Sequence, residues 1–226
     1  MNTPPLGYTS AAKVLRHGRA AFFQSPVTDL PVAESVQIGA DDRLPQFGYV
    51  GSNYLQHRVL LLGINPGNGP RRCRSPEDEI VMPALATFVT EQTPEAFAEA
   101  QRAYKSVCQG WAVWGRQCNE LLVAAGLGPE DVAFSNALPW RTNSKSAFSP
   151  FVAAQAAALY VQPVVDELAP RIIVALGKKA GQMLTIAQRM TDTVVVWNRA
   201  QALQPSVIAE REFAARKFAK LVEASV

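Results

Sequence analysis

Four short apolar runs, each followed by a turn and then by an amphipathic segment, point to an α/β fold. Its expected form is a three-layer α/β/α domain around a central, mainly parallel sheet of four strands. The runs lie within Val59-Leu60-Leu61-Leu62, Asp131-Val132-Ala133-Phe134-Ser135-Asn136, Ile172-Ile173-Val174-Ala175-Leu176 and Thr193-Val194-Val195-Val196-Trp197. Continuous apolar character is the mark of strands buried on both faces. Strands that alternate with helices build parallel sheets joined by right-handed crossovers. A chain of 226 residues can bury a full core.

The elements follow in order. Residues 1–45 read as an arm packed on the domain, with a short helix over Ala11 to Phe23 and turn formers from Ser25 to Gly48; residues 46–226 form the α/β domain. Ser75-Pro76-Glu77-Asp78 has the form of a helix start: a serine cap, proline in the first turn and acids against the positive helix end. Thr93-Pro94-Glu95 repeats that signature ahead of a helix to about Val107. A third helix is expected from about Trp111 to Ala125, stopping at Gly126. Ser149-Pro150 opens a long helix to about Leu168, which Pro163 kinks or divides. Lys178 to Arg189 reads as helix. A last amphipathic helix, from near Pro205 to Ala224, is expected to carry Phe213, Phe218 and Leu221 on one side.

Composition narrows the function classes. Charged residues make up 18% and hydrophobic residues 48%, ordinary for a globular domain, and the net charge of +3 is only mildly basic. Cys73, Cys108 and Cys118 are three cysteines without a CxxC pair, which suits a reducing compartment and falls one ligand short of a four-cysteine iron–sulfur cluster. His17 and His57 lie near neither cysteines nor a carboxylate cluster, so no metal site is expected. No leader and no apolar run long enough to span a bilayer is found, and the expected location is cytoplasmic.

The chemistry gathers at the strand ends. The first strand runs into Gly63-Ile64-Asn65-Pro66-Gly67, a sharp turn that holds Asn65 at the carboxyl edge, where open α/β sheets bind ligands. The second strand ends at Asn136. Parallel strands point their carboxyl ends to one edge, so the two amides can converge on one pocket. A carboxamide both donates and accepts, which suits a partner such as a pyrimidine edge. Asn-Pro-Gly is also a good turn in its own right. A phosphate-binding loop is disfavoured, because Pro70 and Arg71 stand where GxxxxGK[ST] needs Lys and Ser or Thr. Trp111, Trp114, Trp140 and Trp197 all lie near loops or helix starts. Tryptophans are usually core or rim residues, although a flat ring is what a base pocket needs for stacking.

On these residues the chain resembles the uracil-DNA glycosylase superfamily. Leu60-Leu61-Leu62-Gly63-Ile64-Asn65-Pro66-Gly67 looks like the first motif in the form used by the mismatch-specific branch. Phe134-Ser135-Asn136 with Pro139 and Arg141, Ile172 to Gly177 with Lys179-Ala180, and Trp111 to Gly115 agree in order and spacing. The resemblance covers about residues 45–226. It implies that Asn65 holds the attacking water within the turn formed by Gly63, Ile64, Pro66 and Gly67. It further implies that Asn136 reads the base edge and that Trp111, or alternatively Trp114, stacks on the base.

The family's His-Pro-Ser motif has no histidine counterpart here. Asn198-Arg199 directly after the fourth strand and Gln204-Pro205-Ser206 seven residues beyond it compete for its place. The former would act on the leaving base; Arg199 and the latter would contact DNA. The implied protein is a monofunctional, monomeric hydrolase of DNA repair that flips uracil from DNA and needs no cofactor. Its rivals are a non-catalytic DNA-binding member of the fold and an unrelated α/β nucleotide-binding protein.

Overall fold

Val59–Gly63 forms a strand, β2, in which every residue is buried. The structure is a computed structural model, described over residues 3–18, 20–23, 44–66, 76–110, 114, 118–141, 149–198 and 204–225. The other strands are β1 (Tyr49–Val50), β3 (Val132–Asn136), β4 (Ile172–Leu176) and β5 (Val194–Trp197). Spatial order is β1-β3-β2-β4-β5. The four expected strands are all present, and all are parallel. The fifth, β1, pairs antiparallel with β3 at the edge, so the sheet is mixed and one strand larger than expected. Two residues carry too short an apolar pattern to announce a strand.

The helices are α1 (Tyr8–His17), α2 (Ala20–Phe23), α3 (Tyr54–His57), α4 (Pro76–Glu91), α5 (Pro94–Cys108), α6 (Asn119–Ala124), α7 (Pro150–Ala156), α8 (Gln162–Leu168), α9 (Lys178–Ile186) and α10 (Pro205–Glu223). Their faces follow from topology. The β2-to-β3 crossover steps one way along the sheet, while β3-to-β4 and β4-to-β5 step the other way. Right-handed crossovers therefore put α4–α6 on one face and α7–α9 on the other. The packing agrees: α7 meets α9, and α10 meets α6 and β5.

Several local expectations are refined. The expected helix over Ala11 to Phe23 is two helices, α1 and α2, separated near Gly18, whose φ is 69°. The helix expected from Trp111 is described only as Trp114, Cys118 and α6; Trp111 lies outside the described residues. Pro163 leaves α7 and α8 joined by a π turn over Ala157–Val161. Proline removes an N–H and crowds the carbonyl four residues back, and widening the preceding turn accommodates both. Phe213 is exposed at 66%, whereas Ala214, Phe218 and Val222 are buried. Positions 213 and 218 are five apart, which places them on different sides of a helix with 3.6 residues per turn.

Edge strand β1 is held to β3 by close backbone approach. A Cβ on Gly48, whose φ is 78°, would sit 1.8 Å from the Phe134 carbonyl oxygen. On the α7–α8 face, Ser135 Oγ and the Tyr160 hydroxyl lie 2.8 Å apart. On the α4–α6 face the ring of Tyr104 stacks on Phe134 at 6.1 Å, and Trp114 meets Phe134 edge-on at 6.1 Å.

Burial pushes the Tyr49, Tyr54, Tyr104 and Tyr160 phenols well above their ordinary value. Burial likewise pushes the Cys108 thiol up to about 11 from 9.0. Each group stays neutral in the fold at a pH where the unfolded chain would ionise it. The stability this burial contributes is fully present below the unfolded value and lost as pH rises through the folded one. Denaturant titrations are therefore expected to show stability falling as pH rises from about 9 to about 11. Unchanged stability across that interval would show that these groups are not buried as described.

Candidate functional site

The carboxyl edge of the sheet is where the sequence places its polar residues, and β2 and β3 bring two of them side by side. Gly63 is in register with Asn136, and the ladder continues past the strands, with Ala137 N donating to Gly63 O and Leu138 N to Ile64 O, both at 2.9 Å. Neighbouring strands lie about 4.8 Å apart, so the Asn65 turn and the Asn136 exit form one continuous rim. Gly63 is required there by space. A Cβ on it would lie 2.4 Å from Asn136 Oδ1, so the missing side chain is the room in which the Asn136 amide sits.

Asn136 is buried, 3% exposed. Tyr104 of α5, whose ring stacks on Phe134, lies on the face of β3 that Phe134 and Asn136 share. Asn65 is half-buried, and its Nδ2 donates to Pro66 O at 3.2 Å, a contact that keeps the turn closed. Ile64 is half-buried and Pro66 buried; Gly67 lies outside the described residues.

A buried ion pair braces the same rim. Arg141, five residues beyond Asn136, grips Asp78 in the first turn of α4 with both terminal nitrogens. The two residues are 6% and 2% exposed. The pair ties the exit of β3 to the start of α4. Gln46 adds a buried carboxamide beside this loop. Its backbone N donates to Pro139 O at 2.8 Å, and its Nε2 has no hydrogen-bond partner among the described residues.

The remaining expected site residues fall elsewhere. Trp114 is 3% exposed and enclosed by Tyr49, at 5.9 Å, and Phe134. Asn198 follows β5, two strands from β2 and so ~10 Å along the edge. Its side-chain amide donates to Glu210, and its carbonyl accepts from Arg211 Nε at 2.9 Å. Arg211 in turn lies over the Trp197 ring at 5.6 Å. Gln204 caps α10, and Gln204, Pro205 and Ser206 are exposed. The two segments competing for the motif after the fourth strand are thus the two ends of one short connection. Arg199, inside that connection, lies outside the described residues.

His57 does not reach this edge. His57 ends α3 just ahead of β2, at the amino edge, 3.9 Å from Asp131. Among the described residues no group of three or more His, Cys, Asp or Glu is arranged to hold a metal ion. Among the same residues no helix is long and apolar enough to cross a membrane.

The sequence model of the uracil DNA glycosylase superfamily matches residues 51–222, well over half of the chain. The chain belongs to that superfamily. The match takes in every described strand of the parallel set and the whole rim from Gly63 to Ser206. It begins beyond β1 and Gln46. No curated protein matches this chain. Superfamily membership supports a DNA glycosylase type of function, with DNA as partner.

Tyr104 and Asp78 escaped the reading from sequence. Phe97, Ala100, Tyr104 and Val107 recur at helical spacing, and such a stripe signals core packing regardless of what its hydroxyl touches. Asp78 reads as a helix-start acid, and only the fold brings Arg141 to it.

Removing one partner of a buried ion pair leaves a stranded charge, at a cost of about 3–5 kcal/mol. Asp78→Ala is therefore expected to lower unfolding free energy by about that much, and the joint change Asp78→Leu with Arg141→Met to recover most of it. Chemical denaturation of the three proteins checks this. A loss below about 1 kcal/mol for Asp78→Ala, the size typical of exposed pairs, would place the pair in solvent.

Proposed function

We propose that this protein is a monofunctional uracil-DNA glycosylase that acts as a monomer, without a cofactor, in the cytoplasm. The observation that carries the reading is the juxtaposition at one rim of the Asn65 turn and the buried Asn136 amide, with Gly63 left bare between them. Such a rim fits a flipped pyrimidine: Asn136 hydrogen-bonds its edge, and Asn65 orients a water toward the sugar. The water oxygen forms a bond to C1′, and the bond from C1′ to the base nitrogen breaks with its electron pair leaving on the base. The water's proton passes to solvent, because a neutral carboxamide cannot take it.

Catalysis then rests on positioning and on fixed donors around the departing anion. The only carboxylate described in the brace, Asp78, already accepts from Arg141 with both oxygens. A slower enzyme than one with a carboxylate at the water position is expected. Stacking is assigned to Trp111 rather than Trp114, whose ring is enclosed by the protein's own aromatics.

One observation favours a second reading, a DNA-binding member of the superfamily without catalysis. The first motif carries an amide in place of a base, and His57 stands at the opposite edge of the sheet. A glycosylase assay on uracil-containing oligonucleotides separates the two. Release of free uracil is expected with no added metal, at a rate that EDTA leaves unchanged. Asn136→Ala is expected to cost about 1–3 kcal/mol of transition-state binding, since it strands the base's polar edge. No abasic product at enzyme in excess over DNA would favour the binding module. Wild-type rates in Asn136→Ala would mean that the base lies elsewhere.

The connection from Asn198 to Gln204 is proposed to meet the DNA. If Arg199 contacts a phosphate, Arg199→Ala weakens binding to all sequences and lowers the salt slope by roughly one. If it steadies the leaving base, the single-turnover rate at saturating DNA falls by about 10²-fold. If Gln204-Pro205-Ser206 is the working segment, Gln204→Ala shows these effects and Arg199→Ala is nearly silent. Single-turnover measurements on both variants at two salt concentrations decide. Two silent variants would remove this connection from the site.

A further inference from the structure

Strand β1 runs antiparallel to β3, pairing Tyr49 with Phe134 and Val50 with Ala133. A strand of that direction enters the sheet at the edge where the parallel strands leave it. The chain just before β1 therefore lies beside the exit of β3. Gln46 N donates to Pro139 O at 2.8 Å, and Gly51 N to Val132 O at 2.9 Å. Between them, Gly48 is pressed so close to β3 that a Cβ on it would lie 1.8 Å from Phe134 O. These contacts fix residues 46–51 along the length of β3. On the other side of the same exit, Leu138 N bonds to Ile64 O. Gln46 thus stands about one strand spacing, ~4.8 Å, from the β3 exit and about twice that from the Asn65 turn. The antiparallel strand adds a third carboxamide to the rim that carries Asn65 and Asn136.

Gln46 is 1% exposed, and its Nε2 has no hydrogen-bond partner among the described residues. Burying a glutamine costs rotamer freedom and hydration, and a donor left unmade there works against the fold. Native proteins seldom keep such a group, and where they do it calls for a reason other than stability. The chemistry of the base supplies one. Uracil carries two carbonyl oxygens, O2 and O4, on either side of N3–H. A single carboxamide that accepts from N3–H can donate to only one of them. The other oxygen needs a second donor, and its need grows as negative charge spreads onto the leaving base. The terminal torsion of a glutamine is broad, so this amide can turn toward an arriving oxygen without breaking a bond it already makes. We infer that Gln46 is a base-binding residue of this rim, whose Nε2 donates to the pyrimidine carbonyl oxygen that Asn136 leaves free. The inference rests on the glycosylase reading above and adds a residue to the same site.

Gln46→Met keeps the length and volume of the side chain and removes its polar group. Gln46→Leu, smaller and equally apolar, repeats the test where the thioether does not fit. Binding is measured on an oligonucleotide with one uncleavable 2′-fluoro-2′-deoxyuridine, and on the same sequence with a baseless tetrahydrofuran site in its place. Single-turnover release is measured on the deoxyuridine oligonucleotide. For Gln46→Met the melting temperature is expected to rise by about 2–4 °C, because a stranded donor has been removed. Affinity for the fluorinated probe should fall roughly tenfold, the size of one neutral hydrogen bond, and affinity for the baseless site should not change. Uracil release at saturating DNA should slow by at least about tenfold as well. A glutamine that only packs would give a different result: a stable fold lost in part, and both probes affected alike.

A lower melting temperature in both variants would show that the fold itself holds the amide, and would overturn the inference. A raised melting temperature with affinity for the fluorinated probe intact would overturn it too. Equal weakening on the two probes would move the contact to the DNA backbone, with the same consequence. A wild type that releases uracil while Gln46→Met releases it as fast removes the inference and leaves the glycosylase reading standing. A wild type that releases no uracil with enzyme in excess over DNA removes both.

Discussion

The pairing of β2 with β3, in the register that sets Gly63 opposite Asn136, is the constraint from which the rest of the site follows. A parallel ladder allows no local slip, since a shift of one residue would turn every side chain of a strand to the other face. Both strands are buried throughout, so that slip would also break two apolar layers at once. With the register held, Asn136 must stand beside position 63, and any side chain there would collide with its amide. Gly63 thus solves a packing problem and a positional one together. It lets a large polar group lie flat on the sheet edge, and it leaves the next turn free to carry Asn65.

A polar side chain at that depth has to be satisfied, and its surroundings are built accordingly. A buried carboxamide without partners would cost about 1–3 kcal/mol per stranded group. Tyr104 of α5 packs its ring on Phe134, on the face of β3 that this carboxamide shares. The Asp78–Arg141 pair serves the loops in a similar way. Buried ion pairs add little net stability over apolar replacements, but they fix geometry, because breaking one is expensive. The rim is in this sense over-determined: ladder bonds, the bare glycine, an aromatic cluster and an ion pair all fix the same few residues. On the proposed reading, in which neutral amides do the work, such rigidity is needed, because an amide cannot compensate for poor placement as a strong acid or base would.

How much of this was legible in the sequence depended on how local the signal was. The four parallel strands stood out because strands buried on both faces have no polar interruptions, and the helix starts at Pro76 and Pro94 because caps are read from adjacent residues. The carboxyl-edge position of Asn65 and Asn136 followed from strand direction alone. What could not be read was whatever depended on a partner remote in sequence. Strand β1 exists because Gly48 and Gly51 let the chain approach β3 and the start of that strand, against the carbonyls of Phe134 and Glu130. Tyr104 looks like any other core position of α5. Phe213 looked like a core residue until the helix phase set by Ala214, Phe218 and Val222 left it in solvent.

The same distinction bears on the segment after β5. By letters alone, Asn198-Arg199 and Gln204-Pro205-Ser206 are alternatives, yet in the fold they are consecutive parts of one connection at one edge of the sheet. Asn198 is tied to α10 through Glu210 and Arg211, and Arg211 is itself anchored on the buried Trp197 ring. The amide of Asn198 is thereby engaged with a helix, on a strand two places removed from β2. Any group that reaches from there to a base bound over Gly63 must cross the end of β4, where Gly177 and the exposed Lys178 stand. A short carboxamide held by Glu210 is poorly suited to that span, whereas a long side chain on the connection could cross it. On the glycosylase reading proposed above, the hold of Glu210 on Asn198 counts against that amide as the group that meets the leaving base, and the length of the reaching side chain, more than its resemblance to a motif, becomes the property to test.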